Sequence, residues 1–209
     1  MIYFLDGNQE VIKIVRSSAV ISSIQTQELP EDNSLLRDYL SVRLKNDERL
    51  FNAQYMAVKS YDGNRNAFDL YRIASELVPD NATELMGVQV AQYELEGVVI
   101  EDLRPQNRPL NQTMNQILEG SDWRLGYISD NLPNVTTNFY YTSVKDALKK
   151  IQELTNVEML FKVEITGNKI TDKWVEVYHQ LGNRTMKRFN YGTNALSVVR
   201  ESSHDELYT

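Results

Sequence analysis

Cysteine is absent from this chain of 209 residues. The absence excludes disulfide bonds, thiolate metal sites and cysteine nucleophiles, and it fits any redox compartment. Histidine is almost as scarce, since the sequence contains only His179 and His204. Neither histidine has a second ligand residue at the close spacing that zinc peptidases use, so the sequence indicates no metal site.

Sequence motifs for catalysis and nucleotide binding are also missing, as are signs of membrane insertion. The sequence has no G-x-S-x-G elbow, no P-loop and no dinucleotide-binding glycine motif. No window approaches the roughly 18 apolar residues of a membrane span. Asp6 and Gly7 interrupt the apolar start where a signal peptide would have to continue. We therefore assign no catalytic, cofactor-binding or metal-binding residue, and we expect no cofactor and no stable membrane insertion.

The charge balance is acidic, with a formal net charge of −7 at pH 7. Such a charge keeps the chain soluble and opposes a sequence-independent grip on phosphates. Lysine and arginine are scattered along the chain and do not alternate with aromatic residues on one face. We therefore expect no sequence-specific binding to nucleic acid. A hydrophobic content of 42% is typical of a folded protein.

Residues 1–95 predict a first domain of short strands, either a small β-barrel or a sandwich. Short alternating segments recur between turn signals, and Asp6-Gly7-Asn8 is typical of a hairpin turn. The predicted strands cover residues 2–5, 11–15, 18–27, 41–44, 50–59 and 68–73. Residues 83–95 mix the periods of helix and strand, so that either a short helix or a strand fits there.

Residues 96–157 predict an α+β insertion domain. Leu110, Met114, Ile117 and Leu118 have the spacing of a helix face, and Gly120 is a suitable residue to end that helix. A strand is expected over residues 123–128. The clearest helix begins after Ser143, which is a good N-cap, with Asp146 completing an approximate capping box. Its apolar stripe, which we interpret as core, consists of Val144, Ala147, Leu148, Ile151 and Leu154.

Residues 158–209 predict a further domain that is again rich in strands. Strands over 158–165 and 170–178 flank a hairpin loop at 166–169, and further strands are expected at 188–191 and 195–201. The sequence stops at Thr209 inside an apparent strand, which would leave an unpaired sheet edge. We expect either a piece of a longer polypeptide or a chain completed by neighbouring subunits. The predicted fold class is α+β, mainly β.

Two groups of residues leave alternatives open. Glu94, Glu96, Glu101 and Asp102 are close together and could form the acid pair of a glycosidase, but a chain with 29 acidic residues makes such neighbours by chance, and we favour a solvated charged edge. The twelve tyrosines and two tryptophans could line a sugar-binding face. Tyrosines on alternating strands more often fill a core or an interface, and we favour that interpretation.

Several segments in order resemble the N-terminal hub region of phage tail proteins of the prophage-tail, or tail-associated lysin, family. The segments are YELEGVVIEDLRPQN at 93–107, ILEGSDWRLGYIS at 117–129, the helix and hairpin at 143–182, and RFNYGTNALSVVRESSHDELYT at 188–209. In the last segment the family pattern falls on Arg188, Phe189, Gly192, Asn194 and Arg200, followed by the stretch from Asp205 to Thr209. The resemblance covers residues 90–209 well and the first 90 loosely.

The resemblance implies a structural protein of the virion, at the tail tip or baseplate. Such hubs are similar to the trimeric baseplate hub of contractile phages, in which two small β-barrels per subunit form a ring below the distal tail protein. By this resemblance residues 1–95 are the first β-barrel-like domain, residues 96–157 are an α+β insertion, and residues 158–209 are the start of the second β-barrel-like domain. The hub closes the tail tube and opens for DNA ejection. The implied partners are two further copies of the chain, the distal tail protein, the tape-measure protein and receptor-binding or other baseplate proteins.

The resemblance also bears on enzymatic activity. In this family an endopeptidase activity belongs to C-terminal extensions, so we expect this chain not to be an enzyme. The alternatives are a cell-wall-degrading endopeptidase and a module that binds host carbohydrate.

Overall fold

The computed structural model of the chain describes residues 1–28, 35, 37–45, 50, 52–60, 66–79 and 82–181. These residues are mostly β-strand, with three α-helices, which confirms the predicted fold class. The strands are β1 (Ile2–Leu5), β2 (Val11–Val15), β3 (Val20–Glu28), β4 (Arg37–Lys45), β5 (Tyr55–Lys59), β6 (Ala67–Leu77), β7 (Ala82–Gln89), β8 (Val99–Leu103), β9 (Arg124–Ile128), β10 (Phe139–Ser143), β11 (Glu158–Thr166) and β12 (Lys169–Tyr178). The helices are α1 (Val90–Glu94), α2 (Leu110–Leu118) and α3 (Val144–Thr155).

The predicted first hairpin is confirmed, because β1 pairs with β2 in the antiparallel sense. The Asp6 carboxylate organises the turn. Its Oδ1 accepts hydrogen bonds from the backbone N–H groups of Asn8 at 2.9 Å and Glu10 at 3.0 Å. Gln9 takes the left-handed conformation, with φ of 59°. Side-chain acceptors of this kind are the reason that aspartate favours turns.

Seven strands form one antiparallel path in the order β2-β1-β5-β6-β7-β4-β3. The first and last strands of this path are consecutive in the chain, since β2 ends at Val15 and β3 begins at Val20. A 3-10 turn at Ser17–Ala19 joins them. Five Cα steps span at most about 18 Å, so the path must curl back on itself. It therefore forms a strongly curled, barrel-like sheet, which we call the barrel, in which the start of β3 lies near the end of β2 and the two described strands do not pair with each other.

A compact apolar cluster fills this barrel. Its members are Ile2, Phe4, Val15, Leu40, Val42, Leu44, Leu50, Met56, Tyr71 and Leu85. They alternate along each strand, as in β4, where every second residue from Asp38 to Leu44 is buried. This period of two is the pattern expected when one sheet face packs inward.

Strand β6 is the point at which the sheet forks. One of its edges pairs with β5, while its other edge is shared between β11 at Ala67 and Phe68 and β7 from Tyr71 onward. A register shift between Ile73 and Ser75 marks the β7 contact. Through β11 the sheet continues into the β11–β12 hairpin, and β12 then pairs with β9 in the parallel sense.

The β11–β12 hairpin, helices α2 and α3 and the two-stranded β8–β10 sheet enclose a second core with the outer face of the barrel. Its large members include Phe68, Leu95, Met114, Trp123, Phe139, Leu148 and Phe161. Barrel residues such as Leu5, Ala57 and Leu70 belong to this second core. The central strands β1, β5 and β6 are thus buried on both faces.

Both predicted helices in residues 96–157 are confirmed. Helix α2 ends at Leu118, and Gly120 has φ of +84°, the left-handed conformation that favours glycine. In α3 the Ser143 hydroxyl accepts a hydrogen bond from the Asp146 N–H at 3.0 Å. One detail of the stripe is wrong: Leu154 is 53% exposed, because only the first part of the helix packs on the core.

Two further expectations can be compared with the structure, and a third cannot. Residues 83–95 contain both alternatives, since β7 is followed directly by α1. The strand expected over 50–59 is shorter and begins at Tyr55. The strands expected at 188–191 and 195–201, together with Arg188, Phe189, Gly192, Asn194, Arg200 and the ending from Asp205 to Thr209, lie outside the described residues.

The division into domains at 1–95, 96–157 and 158–209 stays a prediction. The hairpin that begins at Glu158 pairs with β6 of the barrel through Val163 and Glu164. Within the described residues this hairpin also shares a hydrophobic core with the helices of the insertion.

Gly87 provides a test of how tightly the barrel is packed. A Cβ at this position would lie 2.5 Å from Met56 Cε and 2.8 Å from Tyr71 Cβ. Because Tyr71 is fully buried and cannot move aside, we expect Gly87→Ala to lower the free energy of unfolding by about 1–3 kcal/mol. Urea denaturation measures the change.

Gly97→Ala is the matched control, since its Cβ would lie at an ordinary 3.6 Å from the Glu94 carbonyl oxygen. We expect this variant to remain within about 0.5 kcal/mol of the parent. Equal effects of the two substitutions would contradict the close packing around Gly87.

Candidate functional site

A cluster of polar side chains is buried where the sheet forks. It comprises Asp38 of β4, Asp69 and Tyr71 of β6, Lys162 of β11 and Ser60, and we call these residues the buried polar cluster. Each is at most 8% exposed. Burying a polar group costs free energy unless the group is hydrogen-bonded. The partners of these side chains therefore indicate whether the cluster stabilises the fold or could take part in a reaction.

The first half of the cluster is centred on the Asp38 carboxylate. The Tyr71 hydroxyl donates to Asp38 Oδ1 at 2.9 Å. Gln25 Nε2 donates to the Tyr71 oxygen at 2.7 Å and lies 3.2 Å from Asp38 Oδ2. Gln27 Nε2 donates to the same Asp38 oxygen at 3.1 Å. These hydrogen bonds tie the polar inner face of β3 to β4 and β6.

The second half of the cluster connects the barrel to β11. Lys162 Nζ donates to Asp69 Oδ1 at 2.8 Å and also donates to Ser60 Oγ. The side chains of Lys162 and Asp69 are only 6% and 10% exposed. A buried ion pair of this kind strongly penalises the loss of one partner, because the other charge then remains desolvated. It therefore fixes the position of β11 on β6.

Burial raises the pKa of the Asp38 carboxyl above its ordinary value of 3.8. Hydrogen bonds from Gln27, Tyr71 and Gln25 oppose this shift, and the negative charge of Asp69 adds to it. The pKa of the Tyr71 hydroxyl is also raised, by burial first and by the charges of Asp38 and Asp69 next. The Tyr71 hydroxyl accordingly stays neutral near pH 7 and donates a hydrogen bond to Asp38.

The cavity beside the buried polar cluster is small. It is lined in part by Asp38, Asp69, Gln89 and Lys162, and its volume is about 10 Å³. This is the space for a single water molecule, whereas sites for small molecules usually occupy several hundred Å³. The buried polar cluster is therefore a structural contact between the barrel and the β11–β12 hairpin.

The four neighbouring carboxylates do not form an acid pair in the structure. Glu94 turns inward and accepts hydrogen bonds from Gln9 Nε2 at 2.8 Å, Trp123 Nε1 at 2.8 Å and Lys173 Nζ at 2.8 Å. Glu96 pairs with Lys145, Asp102 pairs with Arg104, and Glu101 is exposed. A solvated charged edge describes Glu96, Glu101 and Asp102. The sequence did not predict that Glu94 connects the β1–β2 turn with Trp123, directly before β9, and with Lys173 of β12.

An open cleft of about 300 Å³ lies beside Glu94 and is lined by Gln9, Asp122, Ile170, Thr171, Asp172 and Lys173. Asp172 accepts hydrogen bonds from Arg124 Nε at 2.9 and 3.1 Å. Lys173 is held by Glu94. Two of its charged side chains are thus already engaged in ion pairs with neighbouring residues.

The sequence indicates no metal site at either of the two histidines, and the structure describes one of them. His179 is exposed, and His204 lies outside the described residues. Among the residues that the structure describes, no group of three or more His, Asp or Glu side chains could hold a metal ion. Nor does this part of the chain contain a helix that is both long and apolar enough to cross a membrane.

The aromatic residues divide between core and surface. Trp123 and Trp174 are buried, and their indole N–H groups donate to Glu94 and Glu176. Exposed tyrosines are spread over separate elements: Tyr93 of α1, Tyr127 of β9, and Tyr140 and Tyr141 of β10. A sugar-binding role for the exposed group stays a prediction.

The fold is similar to that of a solved phage tail protein. Prophage tail protein gp18 from Listeria monocytogenes EGD-e is similar over 93% of this chain, with a TM-score of 0.52 and 13% sequence identity. The chain spans 56% of the length of that protein. At this level of identity the likeness concerns the fold.

The sequence comparison agrees with the fold. Residues 98–171 match the family model described as the prophage endopeptidase tail domain. This segment runs from the start of β8 into β12 and includes helices α2 and α3. No curated protein gives a significant match to the sequence. The family match and the fold together support a phage tail family, which confirms the resemblance predicted from the sequence.

The buried ion pair yields a prediction about stability. Lys162→Met leaves the Asp69 carboxylate buried without the Lys162 cation, so we expect a loss of about 3–5 kcal/mol in the free energy of unfolding. The double variant Lys162→Met/Asp69→Leu removes both charges, and we expect it to recover much of that loss. Chemical denaturation at pH 7 provides the measurement.

Lys145→Met is the control, because the Lys145–Glu96 pair at 3.1 Å is solvent-exposed. Exposed pairs contribute about 0–1 kcal/mol. A Lys162→Met variant as stable as the Lys145→Met variant would show that the buried pair does not hold β11 on the barrel.

Asp38 yields a prediction about pH. Because its folded pKa is raised, its contribution to stability is fully present below the unfolded value near 3.8 and is lost as the pH rises through the folded pKa. Between about pH 4 and pH 7, we therefore expect the parent to lose stability relative to Asp38→Asn as the pH rises. Urea midpoints of both proteins across this range measure the difference, and a constant or opposite difference would contradict the assignment.

Proposed function

We propose that this chain is a structural component of the phage tail tip, acting as a subunit of the hub that closes the tail tube. The match of residues 98–171 to the prophage endopeptidase tail domain carries this proposal. The similarity to a prophage tail protein over 93% of the chain supports it, because that likeness includes the barrel that precedes the matched segment.

The hub proposal has a definite set of partners. Three copies form a ring that continues the tail tube below the distal tail protein, and the tape-measure protein ends above it. The ring is closed in the resting particle and opens for DNA ejection. The Lys162–Asp69 pair and a shared hydrophobic core join the barrel to the β11–β12 hairpin. Such a connection suits a part of the tail that bears mechanical load.

The experiment uses phage particles that carry an epitope on this protein. We expect immunogold label at the tail tip, and we expect the protein to co-purify with the distal tail protein. Untagged phage provide the background, and an antibody against the distal tail protein marks the tip. Purified, infectious particles that lack the tagged protein would contradict the proposal.

A cell-wall endopeptidase is the second candidate, because the description of the matching family contains that word. We expect the purified chain to release no fragments from Gram-positive peptidoglycan, and mass spectrometry of the soluble fraction checks this. Release of peptide fragments at a rate proportional to protein concentration would favour the enzyme over the purely structural hub.

A further inference from the structure

Strand β3 is an edge of the barrel that the described part of the chain leaves open. It pairs with β4 on one side, and no described strand pairs with its other side. All eight residues from Ile21 to Glu28 are exposed. A strand of nine residues in this position presents a row of backbone N–H and C=O groups that can pair with another strand.

Natural sheet edges usually carry features that prevent such pairing, and β3 lacks them. Lysine, proline and inward-pointing charges are the common protective devices. The sequence of β3, VISSIQTQE, contains no lysine and no proline, and its one charged residue is Glu28 at the end. Its register shift lies at the beginning, between Val20 and Ser22, and leaves the remaining strand regular. The composition of β3 therefore favours pairing.

A row of uncharged side chains, apolar at Ile24 and Met86, adjoins this edge on the outer face of the barrel. Ile24 lies opposite Ser41, Ser41 lies opposite Met86, and Met86 lies opposite Ser75. Residues directly opposite one another on paired strands point to the same face. Ile24 is 60% exposed and Met86 is 44% exposed, and Leu77 extends the apolar surface. A strand added beside β3 would cover Ile24 first.

Charge indicates what kind of partner fits. The chain carries a net charge of −7, so two copies repel one another over most of their surfaces. The row through Ile24 and Met86 contains no charged residue, and the adjacent Arg43 and Glu84 neutralise each other at 3.2 Å. Copies of an acidic chain can meet here without like charges in contact.

We propose that β3 is the strand through which one copy of this chain pairs with a strand of a second copy, with Ile24 at the centre of the contact. This inference rests on the proposed function in that a ring of copies needs such an interface. Backbone pairing at β3 gives the affinity, and the uncharged apolar row selects another copy over a basic or acidic partner.

The test introduces one charge at this edge in the full chain. Ile24→Lys places a protective lysine on an outward-facing position, and Leu154→Lys makes the same change at an exposed leucine on α3. We expect the parent and Leu154→Lys to form the same oligomer by native mass spectrometry and sedimentation. We expect Ile24→Lys to be folded by circular dichroism and to require at least about tenfold more protein to assemble.

Hydrogen exchange locates the contact independently. In the parent, amides of residues 20–28 are expected to become protected as the protein concentration rises through the assembly range, and in Ile24→Lys they are expected to stay unprotected at the same concentrations. Protection that does not change with concentration in the parent would show that β3 is covered within one copy, and this would overturn the inference.

The remaining outcomes separate this inference from the proposed function. If Ile24→Lys assembles as well as the parent, β3 is not the contact, although the tail-tip role survives whenever particles still contain the protein. A parent that is monomeric at every concentration, or a β3 that is protected only by added distal tail protein, would also overturn pairing between copies. Absence from particles would instead contradict the proposed function.

Discussion

Strand β6 lies between two hydrophobic cores, and the arrangement of the other elements depends on this position. Phe68 and Leu70 point to one core, while Tyr71 points to the other. A strand buried on both faces can accept only side chains that fit on each side, so β6 fixes the register of its neighbours. The Lys162–Asp69 pair then positions β11 on the same strand. Buried pairs of this kind contribute little net stability, but their geometric demand selects one arrangement.

Local signals explain which elements could be predicted from the sequence. The β1–β2 turn depends on Asp6 and its near neighbours, and α3 depends on Ser143 and Asp146, which lie three residues apart. Leu154 misled the interpretation because an apolar stripe shows which face packs, but it does not show how far along the helix the packing extends. The alternation of short strands likewise predicted a small barrel or a sandwich, but not the order of its strands.

The buried polar cluster could not be predicted, for a physical reason. Lys162 and Asp69 are 93 residues apart, and both occupy strand positions where a charged residue normally faces solvent. Glu94, on helix α1, was assigned to a solvated edge because 29 acidic residues make acidic neighbours by chance, yet it accepts hydrogen bonds from Lys173 and Trp123 inside the fold. Charged residues on strands buried on both faces give no periodic signal, since the pattern of one buried face does not apply to them.

The short 3-10 turn between β2 and β3 joins the two ends of the curled sheet. Ser17–Ala19 links Val15 to Val20, yet the two described strands do not pair with each other. Six antiparallel pairings separate β2 from β3 along the sheet, so the two strands run in the same sense. A link of only a few residues is too short to place parallel strands side by side. Strand β3 therefore continues the direction of β2 after a bend, and the covalent chain joins the two ends of the sheet where a ladder of backbone hydrogen bonds would close a barrel.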